Sequence, residues 1–489
     1  MSAEPIDDPM DTSPANSALD GNAHELLQIQ EIVMEESLNP VSTDIIKPST
    51  AKQNEPARDE DNEETILVYT PAIDVETIPA LYSQLGILQR LEFIIKVCPP
   101  LKQDAIITLI NYIRENTQNS VRYTSLHKEL EDHIKINGFS SNLSKPKYDS
   151  NWVMDTNAIV NSRRDSALSD YKKFKDEGVK ESTRRAIEEL FQHYMRTGEI
   201  DEALKLYGRG VRDYCTQLKH VINMYSNWIE ISIADGDWAR VDSMTFQALR
   251  SLNDAEEAEK TNNGRQDQSA FMMDRDNMTH SSSVQSNRVL IDSAMARVYA
   301  AQALVRLRQQ KYKSAAERIL ELKVDHLPDR WFVSNADLGI YCVLCCIATF
   351  KRSELKKKMS EDGVYRKLLE SEPQFLELLR CYTSSQFGKC FEIMNSVSDR
   401  LHLDPYISQN VNDLYTLVRK RCVVQYLIPY SNISFNTIMK DLQFTQEEVE
   451  RIVVELIESG EIEYRIDQAK GLLRAINKND KNATSATYA

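Results

Sequence analysis

The sequence lacks the segments that take a chain into or across a membrane. It contains no run of about 18 apolar residues, the length that a membrane-spanning helix requires. The first residues, MSAEPIDDPMD, have neither the basic nor the apolar region of a secretory signal peptide. The eight cysteines are scattered among apolar positions, which is typical of reduced thiols. We therefore expect a soluble intracellular protein of the cytoplasm and nucleus.

The sequence signatures of catalysis are also missing. The eight histidines never occur as His-x-His or His-Glu-x-x-His, and there is no Gly-x-x-x-x-Gly-Lys-Ser/Thr loop and no Gly-x-Ser-x-Gly elbow. Cys342, Cys345 and Cys346 share a helical face among apolar neighbours, which favours buried thiols over a metal site. His193 and His220 fall within helical segments, where core or interface histidines are the simpler interpretation. The sequence thus predicts no enzyme, no cofactor and no metal.

Negative charge is concentrated at one end of the chain. The formal net charge is −15, and residues 1–64 hold 16 acidic and 3 basic residues, a net of −13 that leaves −2 for the rest. Residues 1–65 also have few aromatic side chains, so they cannot bury enough apolar area to offset the entropy of ordering, and we predict a disordered acidic tail. Within it, HELLQIQEIVMEESL has roughly helical apolar spacing; a transient helix is favoured over one that folds on a partner.

Most of the remaining chain has the periodicity of helices. Residues 66–178 form a predicted N-terminal helical region, with a break at Pro99-Pro100 and one amphipathic helix over 152–176 whose apolar positions include Ile159. Residues 331–430 continue with further helices, including the almost wholly apolar LGIYCVLCCIATF, which must be buried on every side. The pattern favours an all-α fold.

An imperfect repeat occupies the predicted region 179–330. The order Tyr194, Gly198, Ala203, Tyr207 resembles a tetratricopeptide unit, in which a glycine turn joins two helices that cross closely at a small residue. A second turn follows at Gly236, and RQQKY is a third turn at the same spacing. We predict helix pairs stacked in a solenoid, with a mobile insertion at 252–287 because that segment has no sustained period.

The segment 431–477 predicts a winged helix. A helix over Ser434 to Leu442 is followed by the capping box of Thr445 and Glu448, a second helix, and Gly460. An alternating strand, a polar turn and a second strand then form the wing. The apolar residues of these two strands are Ile462, Tyr464, Ile466, Leu472 and Leu473. A polar tail, 478–489, ends the chain.

The charge of the second helix argues against binding to nucleic acid. From Thr445 to Glu458 it has five acidic residues and one basic residue, a net of −4, whereas a recognition helix needs Lys or Arg facing the phosphates. The basic runs KKFK and KKK are short and are better interpreted as solvated helix faces. Protein docking is the favoured function, with the five apolar wing residues as the predicted interface.

Helical repeats that run into a winged helix resemble the PCI-domain family. Within it, several segments resemble the COP9 signalosome subunit 1 family: KESTRRAIEELFQHY, RDYCTQLKHVINM, IYCVLCCIATFKRSEL, LLESEPQF and DLYTLVRKRCVVQYLIPY. The resemblance extends from about Leu81 to Ile476, and RDYCT distinguishes this family from its proteasome-lid counterpart.

The resemblance implies a non-catalytic scaffold in a hetero-oligomer. Its partners would be other PCI subunits, joined through winged helices, and a separate metalloprotease subunit that removes NEDD8 from cullins and so regulates cullin-RING ubiquitin ligases. The family's long C-terminal helix has no counterpart in the polar ending NKNDKNATSATYA, so this segment is not expected to supply a buried stripe. Two alternatives stay open: a proteasome-lid subunit, and a winged-helix regulator that binds nucleic acid.

Overall fold

The computed structural model describes residues 66–207, 211–269, 278–361 and 363–476. The predicted acidic tail with its HELLQIQEIVMEESL segment, and the polar tail 478–489, lie outside the described residues. Within these ranges the predicted class is confirmed, because stacked helices lead into a small module of helices and a sheet. No helix in them combines the length and the hydropathy that crossing a membrane requires.

The N-terminal region is a group of helices around its own apolar core. Pro99 begins a short 3-10 turn that separates two long helices, as the sequence predicts, because proline has no amide hydrogen to continue the first one. In the helix Ser150–Asp176, Val160 is buried whereas Ile159 is 47% exposed, so not every apolar position of this helix faces the core. The helices are α1 Ile78–Leu81, α2 Gln84–Val97, α3 Lys102–Asn116, α4 Ser120–Asn137 and α5 Ser150–Asp176.

The central region is made of paired helices. The helices are α6 Lys180–Thr197, α7 Ile200–Leu206, α8 Val211–Tyr214, α9 Leu218–Asp235, α10 Trp238–Ser269, α11 Met278–Arg308 and α12 Tyr312–Leu320. Helices α10 and α11 continue into the predicted insertion, so its described part is helical rather than irregular. Alanine, glutamate and lysine in DAEEAEK favour helix even without an apolar stripe to bury.

The turns of the predicted repeat share one backbone conformation. Gly198 and Gly236 both take the left-handed conformation, with φ of 80° and 79°. Gln310 in RQQKY takes it too, with φ of 58°. After Gly198 the amide of Glu199 donates to the Tyr194 carbonyl at 3.0 Å, the bond that closes a helix and redirects the chain.

Helices before and after it in the chain bury α13 on all sides. This helix, Asn335–Thr349, holds LGIYCVLCCIAT, and these residues are buried except for Thr349, as the sequence predicts. At Gly339 an added Cβ would lie 3.0 Å from the Leu368 carbonyl oxygen, so glycine permits the close approach of the next segment. The other helices are α14 Arg352–Glu361, α15 Val364–Leu368, α16 Pro373–Thr383, α17 Phe387–His402 and α18 Val411–Leu427.

The C-terminal module is a winged helix. Its elements are β1 Asn432–Ser434, α19 Phe435–Leu442, α20 Gln446–Glu458, β2 Tyr464–Asp467 and β3 Leu472–Ala475. The predicted capping box of Thr445 and Glu448 is confirmed at the start of α20. The antiparallel sheet has the order β1-β3-β2, so one short strand that the sequence analysis did not predict joins the two predicted wing strands. Strand β1 is only three residues long, too short to show alternation.

Candidate protein-docking site

The five predicted interface residues of the wing lie in different environments. Ile462 and Leu473 are 7% and 0% exposed and belong to the apolar core of this chain. Tyr464 and Leu472 are half-buried, and Ile466 is 38% exposed. Leu472 and Leu473 are consecutive on β3 and so lie on opposite faces of the sheet, which explains why only Leu473 is fully buried. The interface itself stays a prediction, and Ile466 is its most exposed apolar side chain.

Tyr464 fastens the wing to the end of α18. Its hydroxyl shares its proton between the carbonyl oxygens of Leu427, at 2.7 Å, and Tyr430, at 2.6 Å. Burial raises the pKa of this phenol, which keeps it a hydrogen-bond donor. The wing is therefore held in one orientation against the helix that precedes the module.

This anchor brings further apolar side chains beside the wing. Ile428 is 75% exposed and Tyr430 is 38% exposed, and both adjoin the backbone that Tyr464 contacts. Ile466 lies two residues beyond Tyr464 on the same strand and so shares its face. We call Ile428, Tyr430 and Ile466 the wing patch. Sequence reasoning missed Ile428 and Tyr430, although their position at the end of α18, around Pro429, is an available signal.

A free strand edge adjoins the wing patch. β3 lies between the other two strands, and β2 pairs with it alone. Within the described part of the chain no strand covers the outer edge of β2. An uncovered edge presents backbone groups that another chain can pair with, and apolar side chains beside it add affinity and register.

Helix α20 has an acidic outer face. Glu448 lies 3.1 Å from Arg419 and Glu455 lies 2.8 Å from Lys420, so both acids are paired with α18. The Thr445 amide, followed by Arg419, lowers the pKa of Glu448, and Lys420 does the same for Glu455. The exposed charges that remain are Glu447, Glu450, Arg451 and Glu458. The exposed face therefore has a net charge of −2, and the expectation that it does not bind nucleic acid stays a prediction.

The cysteine cluster is buried, as the sequence predicts. Cys342, Cys345 and Cys346 are each 0% exposed, and the sulfurs of Cys342 and Cys346 lie 3.8 Å apart. The pKa of Cys342 is well above its usual range because of that sulfur contact and its burial. Among the described residues, no group of three or more His, Cys, Asp or Glu side chains is placed to hold a metal ion.

The most buried charged group joins segments far apart in sequence. Arg90 of α2 donates to Asp337 at 2.9 Å and to Asp404 at 3.1 Å, and all three side chains are almost wholly buried. Each carboxylate also accepts a hydrogen bond from a tyrosine. The Tyr82 hydroxyl donates to Asp337 at 2.9 Å, and the Tyr341 hydroxyl donates to Asp404 at 2.6 Å. We call these five residues the Arg90 network. Its charges are stable in the interior because each has several partners.

The Arg90 network ties the N-terminal helices to the later ones. Arg90 also donates to the Phe332 carbonyl at 3.2 Å, and its guanidinium lies 3.9 Å from the centre of the Tyr82 ring. Ser334 is the N-terminal cap of α13, and the Asp337 carboxylate completes its capping box by accepting from the Ser334 amide at 3.0 Å. Sequence reasoning missed this network, since its members lie far apart in the chain; Arg90 and Asp404 alone are separated by 314 positions. Only the Ser-x-x-Asp capping signal is visible in the sequence.

Comparison with known proteins identifies the family. Residues 149–358 match the family model of the 26S proteasome subunit RPN7, and residues 394–475 match that of the PCI domain. The chain is 42% identical to COP9 signalosome complex subunit 1 of Caenorhabditis elegans, in an alignment that covers 99% of this chain and 84% of that protein. It is 28% identical to subunit 1b of the same complex from Drosophila melanogaster, over 92% and 87% of the two chains. The subunit 1 of Arabidopsis thaliana is 27% identical, over 84% of each chain. Similarity at this level along nearly the whole sequence shows that the chain belongs to the COP9 signalosome subunit 1 family.

Proposed function

We propose that the chain is a non-catalytic scaffold subunit of the COP9 signalosome. It would assemble with other PCI subunits and with the metalloprotease subunit that removes NEDD8 from cullins, and so contribute to the control of cullin-RING ubiquitin ligases. The observation that carries this proposal is the 42% identity to a signalosome subunit 1 across 99% of the chain. We place the complex in the cytoplasm and nucleus.

We infer that the winged helix makes the contact with a neighbouring PCI subunit. The wing patch supports this, because it puts three exposed apolar side chains beside an uncovered strand edge. Edge pairing would give affinity through the backbone, and Ile428, Tyr430 and Ile466 would give specificity. The acidic face of α20 supports a protein rather than a nucleic acid as the partner.

The proteasome lid is a second candidate assembly, favoured by the match of residues 149–358 to the RPN7 family model. The two assemblies predict different co-purifying proteins. A lid subunit brings down proteasomal ATPases, whereas a signalosome subunit brings down the deneddylating metalloprotease. Affinity purification of the intact chain followed by mass spectrometry distinguishes them.

Interface variants test the docking surface in the same experiment. We expect Ile428→Asp with Ile466→Asp to abolish recovery of the other PCI subunits, because two buried carboxylates would lie in an apolar interface. Both side chains are exposed in the chain alone, so its fold and helical content should not change. The control, Val121→Asp with Met154→Asp, changes two other exposed apolar residues on α4 and α5.

The outcomes distinguish whether the chain belongs to the complex from whether the wing patch is the interface. Unchanged recovery by the wing variant would exclude the wing patch as the interface while leaving the scaffold function intact. Failure of the unmodified chain to recover any signalosome subunit would overturn the proposed function itself.

A further inference from the structure

A groove of about 590 Å³ lies between α5 and α6, beside the turn that joins α3 to α4. Helix α5 contributes Arg163, helix α6 contributes His193 and two arginines, and the turn contributes Gln118. The groove has the volume of an ordinary small-molecule site. It lies far along the sequence from the winged helix and has no part in the docking surface described above.

Two residues that line the groove have buried polar atoms without partners. His193 is 7% exposed, and its Nε2 atom is buried without a hydrogen-bond partner; the Oε1 atom of Gln118 is in the same position. The backbone amide of Gln118 donates to the backbone carbonyl of Arg196 at 2.9 Å, which fixes the turn against α6. Buried polar atoms are nearly always paired in folded proteins. Unpaired polar atoms in residues that line a groove therefore point to a ligand with hydrogen-bonding groups there.

Three arginines and two glutamates line the groove, which leaves a net positive charge. Arg163 and Arg196 are exposed, and neither has an ion-pair partner among the residues that the structure describes. Arg185 also lines the groove and lies 3.5 Å from Glu181.

Two acidic residues line the groove as well. Glu188 is paired with Arg184 at 2.6 Å, whereas Glu189 is exposed and reduces the net positive charge of the groove. Burial, with nearby Arg163, Arg164 and Arg196, lowers the pKa of His193, although Glu199 opposes this. The histidine is therefore neutral at physiological pH, and its unprotonated nitrogen can accept a hydrogen bond.

We propose that this groove binds a small hydroxylated molecule that carries phosphate monoesters. The guanidinium groups of Arg163 and Arg196 would hold the phosphates, since the planar fork of arginine matches phosphate oxygens in pairs. Hydroxyl groups of the same molecule, which both donate and accept, would pair with the ring nitrogen of His193 and donate to the side-chain oxygen of Gln118. The proposal rests on the groove alone and does not depend on the proposed scaffold function.

Calorimetric titration of the full-length chain with glucose 1,6-bisphosphate tests the site. We expect saturable binding that Arg163→Gln with Arg196→Gln weakens by about tenfold to a hundredfold, the loss expected for hydrogen bonds to a charged group. The control is Lys356→Gln with Lys357→Gln, which removes the same charge from an exposed part of α14. It should retain the affinity of the unmodified chain.

A second readout keeps the test independent of variant folding. In the unmodified chain, the ring signals of His193 in a carbon-13-labelled histidine spectrum should shift on saturation with the bisphosphate. Glucose should give no binding, since it lacks the phosphates that the arginines hold.

Several different results would contradict the proposed binding site. Equal weakening by the two double variants, or no shift at His193, would show attraction to net charge only and overturn the site. The absence of saturable binding would also overturn it. Tight binding of a phosphoserine peptide in place of the bisphosphate would overturn the assignment to a small molecule.

Discussion

At the scale of single residues, Arg90 carries the largest electrostatic role. It neutralises two buried carboxylates, and burial and the Asp404 charge raise the pKa of Asp337, opposing the effect of Arg90. We expect Arg90→Met to destabilise the chain by roughly 3–5 kcal/mol, because it leaves two buried acids without their cation. Urea denaturation followed by circular dichroism measures the loss.

The pH dependence of this loss identifies its cause. Without Arg90 the pKa of Asp337 rises further, so the folded variant holds a proton that the unfolded chain releases. Stability of the variant then falls as pH rises above the ordinary range of a carboxyl group. We expect a larger deficit at about pH 8 than at about pH 5.5. A deficit that does not change with pH would indicate lost packing instead.

Lys135→Met is the matched control for Arg90→Met. Lys135 pairs with Asp132 at 2.8 Å, but the side chains are 70% and 54% exposed. Water and salt screen such a pair, so its removal should leave the denaturation midpoint unchanged at either pH. A comparable loss from both variants would contradict the role given to burial.

At the scale of elements, two glycine turns with the same backbone differ in their surroundings. An added Cβ at Gly236 would meet nothing within 4 Å, whereas at Gly198 it would lie 2.1 Å from the side-chain nitrogen of Asn119. The oxygen of that side chain caps α4 by accepting from the Arg122 amide at 2.9 Å. Gly198 therefore serves both the turn and the packing of α4 on α6.

We expect Gly236→Ala to cost about 1 kcal/mol, the strain of alanine in the left-handed conformation. Gly198→Ala should cost about 1 kcal/mol more, because it also displaces the cap of α4. Thermal denaturation of both variants gives the comparison. Equal losses would mean that Asn119 moves aside without cost, and the cap would then have no part in holding the two helices together.

The same turns show what the sequence could reveal about the elements. Gly198 and Gly236 mark their turns because glycine readily takes positive φ. Ser385 and Gln443 take it as well, with φ of 64° and 57°, and the sequence gives no sign of them. Their conformation follows from the helices packed on either side. Helix periodicity and the capping box were visible because they are local, whereas the wing patch and the Arg90 network depend on contacts between distant segments.

At the scale of the whole molecule, two apolar cores meet across a polar junction. One core spans Val68 to Leu130 together with Leu403, and the other runs from the central helices to the winged helix. The Ser83 amide donates to the Trp331 carbonyl at 3.0 Å, and Arg90 donates to the carbonyl of the next residue, Phe332. Backbone and side-chain hydrogen bonds therefore link the two cores at the same place. This junction is therefore one of the places where the N-terminal helices are coupled to the remainder, beside the contacts that the Gln118 turn and Asn119 make with α6.

Hydrogen exchange followed by mass spectrometry tests that coupling. We expect Arg90→Met to speed exchange in α3 and α4 by about tenfold or more, while α16 and α18 keep the rates of the unmodified chain, because loss of the junction permits local opening of the smaller core. Lys135→Met should change neither set. Equal acceleration in both sets would show one cooperative unit, and the Arg90 network would then stabilise the molecule as a whole rather than join two parts of it.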